Sequence, residues 1–255
     1  MSKRINSRLI RYELNGIIKN WYVPFFGLAF PTGLAFLIGK YALQKIPPAV
    51  LPEVRLTLVM SQLIIITLSI FLLGHGLVYA METEKNIPIR LELFGFHQIA
   101  MIKARAIAQL IIFCFCVSVF LTATGLGLDL PLPTTGGLIG ILTYTMVTGL
   151  ISFILAHAIA LIIGKFSATY AVLMCIYFAF MIAGGGMGIP FDDMPAFIRI
   201  IAEQTPFPFF YTHFADIWQG KVVSAAPAIQ GLLVYAAITF LILLFALRKR
   251  KLRSV

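Results

Sequence analysis

Six stretches of this chain are long and apolar enough to cross the hydrocarbon core of a bilayer, and that feature constrains all the rest. A core about 30 Å thick takes about 20 mostly apolar residues per helix. The runs at 23–43, 57–80, 104–126, 138–163, 168–188 and 227–247 meet that requirement. Lipid offers the backbone no hydrogen-bond partner, so each run must satisfy its own amides as a helix. Of the 255 residues 60% are hydrophobic and 12% charged, against about 45–50% apolar in a soluble domain. A water-soluble globule is excluded. The expected fold is an all-α integral membrane protein of six transmembrane helices, a single domain over 1–255.

The charges orient the bundle. Lys and Arg in short loops resist translocation. With the N-terminus inside, alternate segments hold Lys3, Arg4, Arg8, Arg11, Lys19, Lys85, Arg90, Lys103, Arg105, Lys165, Arg248, Lys249, Arg250, Lys251 and Arg253, 15 in all. The other side has Lys40, Lys45, Arg55, Arg199 and Lys221, only 5. This bias predicts a multi-pass protein of the cell inner membrane with both termini cytoplasmic. The net charge of +10 is distributed in short clusters beside apolar runs, not as a stripe across a polar domain, so nucleic acid is not an expected partner and the lipid bilayer is. The first run is not expected to be a cleaved signal, because its basic lead is long and no small-x-small pattern follows it.

Three segments outside the runs carry pattern. In 1–22, Ile10, Leu14, Ile17, Ile18 and Trp21 recur at helical spacing, with Arg4, Arg8, Arg11, Asn15 and Lys19 on the other face. That predicts an amphipathic helix lying on the inner membrane surface. In the loop 81–105, Pro88 suits a first helical turn and Gly95 a helix end, which predicts a short rigid helix open to another protein. The segment 189–226 is too long for a hairpin and too apolar for a solvated loop. Asp192 and Asp193 can cap a helix through Ala196, Phe197, Ile198 and Ile201; Pro206 and Pro208 break it, and Phe209 to Trp218 can form a second helix ending at Gly220. Phe207, Phe209, Phe210, Tyr211, Phe214 and Trp218 stand where an aromatic interface belt is expected.

Chemistry inside the runs is sparse. Ion-coupled carriers place ionisable groups near the bilayer midplane, but all ten Asp and Glu fall outside the runs, and the titratable groups well inside them are His75 and His157, for which packing or a polar contact is expected. No phosphate-cradling G-x-x-x-x-G-K-[ST] occurs; the stretch Gly33 to Lys40 has one residue too many and ends in Tyr41. There is no H-E-x-x-H, C-x-x-C or G-x-S-x-G, so catalytic and metal sites are expected to be absent. Cys114, Cys116 and Cys175 read as small apolar filler, the first two on nearly opposite helix faces. Ser61, Gln62 and Thr67 in the second run are mildly polar. In the fourth, Thr145, Thr148 and Ser152 form a stripe that favours helix packing. Met174, Tyr177 and Met181 share a face of the fifth. Pro24 and Pro31 are expected to kink the first run, and Gly184, Gly185 and Gly186 to loosen the end of the fifth.

An interface helix, six runs with inside termini, a cytoplasmic loop opening on Glu82 and Glu84, and an apolar helical segment between runs five and six occur here in one order. In that order the chain resembles the membrane-spanning permease subunit of type-2 ATP-binding cassette exporters, over essentially its whole length. At the residue level Glu82, Glu84, Leu91 and Lys103 match the family's loop pattern. Asn86, Ile87 and Pro88 stand where Gly-Thr is common, Gly95 and Phe96 where Pro is, and Thr205-Pro206 where Asn-Pro is usual. The resemblance implies a re-entrant helical hairpin in 189–226, a coupling helix in 81–105, and a dimer with a second copy or a related permease. It also implies a separate cytoplasmic ATPase that binds ATP and Mg, this chain holding no cofactor. Ile89, Arg90, Leu91, Leu93 and Phe94 would then contact the ATPase, Glu82 and Glu84 would pair with its basic residues, and Ser61, Thr67, Met174, Tyr177 and Met181 would line an outward substrate pathway for a hydrophobic drug or peptide. A non-transport assembly or sensor module and an ion-coupled carrier remain the alternatives.

Overall fold

A computed structural model describes residues 7–40, 46–184 and 194–253, with side chains to Lys249. The apolar runs become helices α2 (Tyr22–Lys40), α3 (Leu51–Glu84), α5 (Gln98–Gly127), α6 (Thr135–Ile163), α7 (Phe166–Ala183) and α11 (Ala226–Arg253), preceded by α1 (Ser7–Lys19) and joined in part by α4 (Ile87–Leu93). The shorter helices α8 (Ala196–Glu203), α9 (Pro208–Thr212) and α10 (Phe214–Trp218) lie between α7 and α11. All six helices made from the runs are long and apolar enough to cross a membrane, which makes this a multi-pass membrane protein. Lys3, Arg4, Lys45, Gly185, Gly186, Asp192 and Asp193, and the side chains of Arg250, Lys251 and Arg253, lie outside the described residues.

Helix α3 is apolar on every face, and it is the most buried of the six, 89% of its apolar window being enclosed. A helix without a polar stripe has no reason to face water on any side and is stable where neighbours surround it. Helices α2, α5, α6 and α7 pack around it, and α11 lies outermost against α6. Small residues set these approaches: a Cβ added at Gly149 would overlap the Phe71 ring, and one at Gly76 would overlap Leu173. The stripe Thr145, Thr148 and Ser152 is buried with Gly149, and Ser152 meets Tyr235 of α11 at 2.9 Å. It is a packing seam, as its small residues predict. The ends of α3 reach past the apolar run and bring Glu53, Glu82 and Glu84 into the helix, though only in its terminal turns.

Two wide π turns, Phe25–Ala29 in α2 and Ser69–Leu73 in α3, meet at the centre of the bundle. Their cause is readable in the backbone. Phe30 N–H bonds to Phe25 C=O, one residue beyond the usual acceptor. The Phe26 carbonyl then has no donor within its helix, because residue 31 is proline and lacks an N–H. Ser69 Oγ donates to that carbonyl at 3.0 Å and lies 3.3 Å from the Tyr177 hydroxyl. Ser69→Ala strands a buried carbonyl, which costs about 1–3 kcal/mol. A lowered unfolding midpoint in detergent is the expected result, and an unchanged midpoint would contradict this assignment.

The end of the bundle that carries α1 is here the proximal end. At the opposite, distal end, α9 and α10 pack on α3 and α6 and bury Phe207, Phe209, Phe210, Phe214 and Trp218. These rings, which stand where an aromatic interface belt is expected, are packed into the core of the chain. Tyr144 donates to Pro206 C=O at 2.9 Å and Trp218 Nε1 to Pro131 C=O at 2.7 Å, so each polar tip is satisfied inside the protein. The single helix expected over Phe209 to Trp218 is divided at His213, whose φ of −127° leaves the helical range. It ends as expected at Gly220, with φ +78°. Helix α8 keeps Phe197, Ile200 and Ile201 exposed.

Candidate functional site: a charged clamp and an apolar knob

The proximal end gathers the polar side chains that the bundle buries. Helix α1 presents Leu9, Glu13 and Ile17 inward, at i, i+4 and i+8, and packs along α5. Of the residues expected on its apolar face, Ile17 is buried, Ile10 and Leu14 are partly buried, and Ile18 and Trp21 are 57% and 59% exposed. The Glu13 carboxylate, 4% exposed, points to Arg105 in the third turn of α5. Arg105 Nε lies 2.5 Å from Glu13 Oε2 and Nη2 3.2 Å from Oε1, a bidentate fork. The same Nη2 donates to Glu82 Oε2, at the end of α3, at 2.7 Å.

One guanidinium thus holds three elements, α1, α3 and α5. Charges taken out of water persist only when paired and hydrogen-bonded, and here both carboxylates depend on Arg105. Burial pushes the Glu13 carboxyl above the usual carboxylate range, against the pull of Arg105. Below the ordinary Glu range this residue's stability contribution is complete, and it is lost as pH rises through the raised folded pKa.

The clamp fixes the helix beside it. Asn86 takes the left-handed conformation, φ 55°, to turn the chain out of α3. Pro88 falls in the first turn of α4, where its missing N–H costs nothing. At the other end Phe96 N–H bonds Leu91 C=O at 3.0 Å and Gly95 N–H bonds Glu92 C=O at 2.9 Å, with Gly95 at φ +90°. That is a Schellman end, and it requires the glycine. Leu91 packs into a small cluster with Leu9, Ala100, Met101 and Ala104. Gln98 Nε2 donates to Glu92 at 3.0 Å and ties α4 to the start of α5. What α4 turns outward is apolar: Ile89 is 55% exposed, Leu93 83% and Phe94 81%.

The expected site residues are therefore divided. Ile89, Leu93 and Phe94 form one exposed knob. Leu91 faces the bundle, and Arg90 folds back to donate to Lys85 C=O at 2.7 Å. Glu82 is held by Arg105 inside the chain, and Glu84 accepts from Phe166 N–H at 3.0 Å, at the start of α7. Both acids have structural duties here. Ser61, Thr67, Tyr177 and Met181 are buried, with Ser61 and Thr67 donating to Leu58 and Leu63 carbonyls of their own helix. Met174 is partly buried against the same core. The first four belong to the packed interior of the single chain. His75 Nε2 and His157 Nδ1 lie 3.2 Å apart, and His75 stacks on Phe153, a buried polar contact between neighbours. Among the described residues no group of three or more His, Cys, Asp or Glu converges as metal ligands would.

No protein-family model matches the chain, and no curated protein matches it. The site's reading accordingly rests on its geometry.

The clamp was missed because Arg105 sits at the edge of an apolar run, where it counts as a loop charge. A signal was present. Glu13 interrupts the line Leu9, Glu13, Ile17 at i, i+4 and i+8, and an acid in a buried line needs a base within reach.

Proposed function

We propose that the chain is the permease subunit of an ATP-driven exporter, with its proximal end in the cytoplasm and α4 as the helix through which a separate ATPase moves the bundle. The observation that carries this reading is the knob. Ile89 and Leu93 of a seven-residue helix, and Phe94 that caps it, are large apolar side chains standing in the open on an element whose two ends and base are fixed. A solvated loop has no use for such a surface, whereas a cleft in a partner does.

The clamp supplies the mechanical half. A push on α4 is received by Glu92–Gln98 and Leu91, and passes into the ends of α3 and α5 and into α1, which Arg105 locks together. Rigid-body displacement of those elements can then rearrange the spans. The ATPase would hold ATP and Mg, and this chain would need no cofactor. The bias of 15 basic residues against 5 across alternate segments supports cytoplasmic termini in the cell inner membrane. In this reading α8 to α10 form the outer re-entrant hairpin, with the exposed Phe197, Ile200 and Ile201 in the outer leaflet. A second copy or related permease completes the pathway, since α3 is enclosed by its neighbours in one chain. The cargo is proposed to be a hydrophobic drug or peptide, in keeping with the apolar spans.

The experiment is site-specific photo-crosslinking in native membranes. Benzoyl-phenylalanine at position 94 should capture an ATP-binding cassette ATPase identified by its nucleotide-binding peptides, and the same probe at Phe115, 60% exposed on the apolar length of α5, should not. Capture of no ATPase at position 94, or equal capture at both, would contradict the assignment.

A further inference from the structure

The proximal end also contains a cleft that the clamp does not fill. It opens between the end of α1, the start of α2, the end of α3 and the start of α7, holds about 420 Å3, and is lined by Tyr12, Lys19, Trp21, Tyr22, Glu82 and Phe166 among others. An adjoining lobe of about 290 Å3 shares Tyr12, Lys19 and Glu82 and reaches Glu13.

Its charges are separated along its depth. Lys19, at the exposed rim, forms no ion pair among the described residues. At the buried end two carboxylates share one guanidinium, so when both are ionised the cluster carries one negative charge in excess. Glu82 bonds Arg105 only through Oε2, which leaves Oε1 free to accept. Between rim and floor stand Tyr12 and Trp21, 49% and 59% exposed. From Trp21, which also contacts Tyr22, a chain of rings through Phe25 to Phe30 climbs α2 into its apolar length.

A simple anion would be drawn to Lys19 and repelled by the floor, and a simple cation the reverse. An amphiphile with an anionic group outside, an ammonium inside and apolar chains beside α2 satisfies every wall at once. We propose that this cleft binds phosphatidylethanolamine from the leaflet on the side of α1, its phosphate on Lys19, its ammonium on Glu82 and Glu13, and its acyl chains along the aromatic ladder of α2. A primary ammonium donates three hydrogen bonds to those carboxylates and also lies well against Tyr and Trp faces. A trimethylated ammonium has no N–H to donate, and a phosphatidylglycerol headgroup has no cation. The inference does not depend on the exporter reading.

The test uses the full chain purified in detergent and native mass spectrometry with phosphatidylethanolamine, phosphatidylcholine and phosphatidylglycerol of identical acyl chains. The ethanolamine lipid should bind at least 10-fold tighter than either of the others. Lys19→Glu should remove that preference and Lys19→Arg keep it, both with wild-type unfolding midpoints because the side chain is exposed; Tyr12→Ala should weaken binding as a second, independent variant. Soluble phosphoethanolamine, added as a competitor, should displace the lipid only at far higher concentration. Equal binding of the three lipids, tighter binding of phosphatidylglycerol, or a Lys19→Glu variant that binds as wild type would overturn the proposal. Displacement by phosphoethanolamine at the lipid's own concentration would overturn the assignment to a lipid in favour of a free headgroup ligand.

Discussion

Replacing Arg105 with methionine lowers the unfolding midpoint by roughly 10 °C at pH 8 and by clearly less at pH 5. The size follows from the clamp: removing one partner of a buried charge cluster costs about 3–5 kcal/mol, since the remaining charges stay desolvated, and a chain of this length loses a few degrees per kcal/mol. The pH dependence follows from Glu13. Burial already raises its carboxyl above the usual range while Arg105 draws it down. Without the guanidinium that restraint is gone, and Glu82 stands beside it. The folded variant therefore takes up a proton that the unfolded chain does not, and stability returns as pH falls through the raised pKa. Combining Arg105→Met with Glu13→Gln and Glu82→Gln should recover most of the loss, as apolar or neutral replacements of whole buried clusters do. Thermal unfolding in detergent at the two pH values checks all of this. A methionine variant as stable as wild type at pH 8, or equally unstable at both, would show that the three side chains are not coupled as the geometry indicates.

Replacing Leu93 and Phe94 together with serine has the opposite profile: no change in the unfolding midpoint and a loss of at least 100-fold in affinity for the partner ATPase. Both side chains are more than four-fifths exposed, so the isolated chain gives up little packing. In the proposed complex they are the anchors, and truncating an anchor at the centre of an interface costs about 2 kcal/mol or more, with tenfold in affinity per 1.4 kcal/mol. Arg90→Ala should do much less, because that guanidinium is turned back onto Lys85 C=O. Titration of the purified ATPase against both variants separates the cases. Wild-type affinity in the double variant would remove the knob from the mechanism, while a falling midpoint would mean that the knob is part of the fold.

Much of the architecture was legible because a bilayer allows few solutions. Apolar length alone located six helices, with ends up to six residues from those of the structure, and Pro88 with Gly95 located α4, since proline tolerates the first turn and glycine the left-handed exit. What stayed hidden was rotation. In a helix as evenly apolar as α3, no pattern distinguishes the side facing a neighbour from the side facing a pathway; Ser61 and Thr67 there, and Tyr177 and Met181 in α7, are buried within the single chain. The rings from Phe207 to Trp218 pose the same ambiguity: an aromatic belt and an aromatic core have one composition, and it is the acceptors at Pro206 and Pro131 that tie Tyr144 and Trp218 inside the chain. At α1 the hidden feature was one ion pair whose partner lies 92 residues away.

The central claim is that motion enters this bundle through α4 and from an outside ATPase. Its most direct test is uptake into inside-out vesicles containing the purified chain, alone or with the ATPase captured at position 94, using a panel of fluorescent hydrophobic drugs and peptides. The account predicts concentrative, ATP-dependent uptake with both proteins, its loss in the Leu93→Ser, Phe94→Ser double variant, and none with the chain alone under a proton or sodium gradient. Concentrative uptake by the chain alone, or undiminished uptake in the double variant, would contradict it.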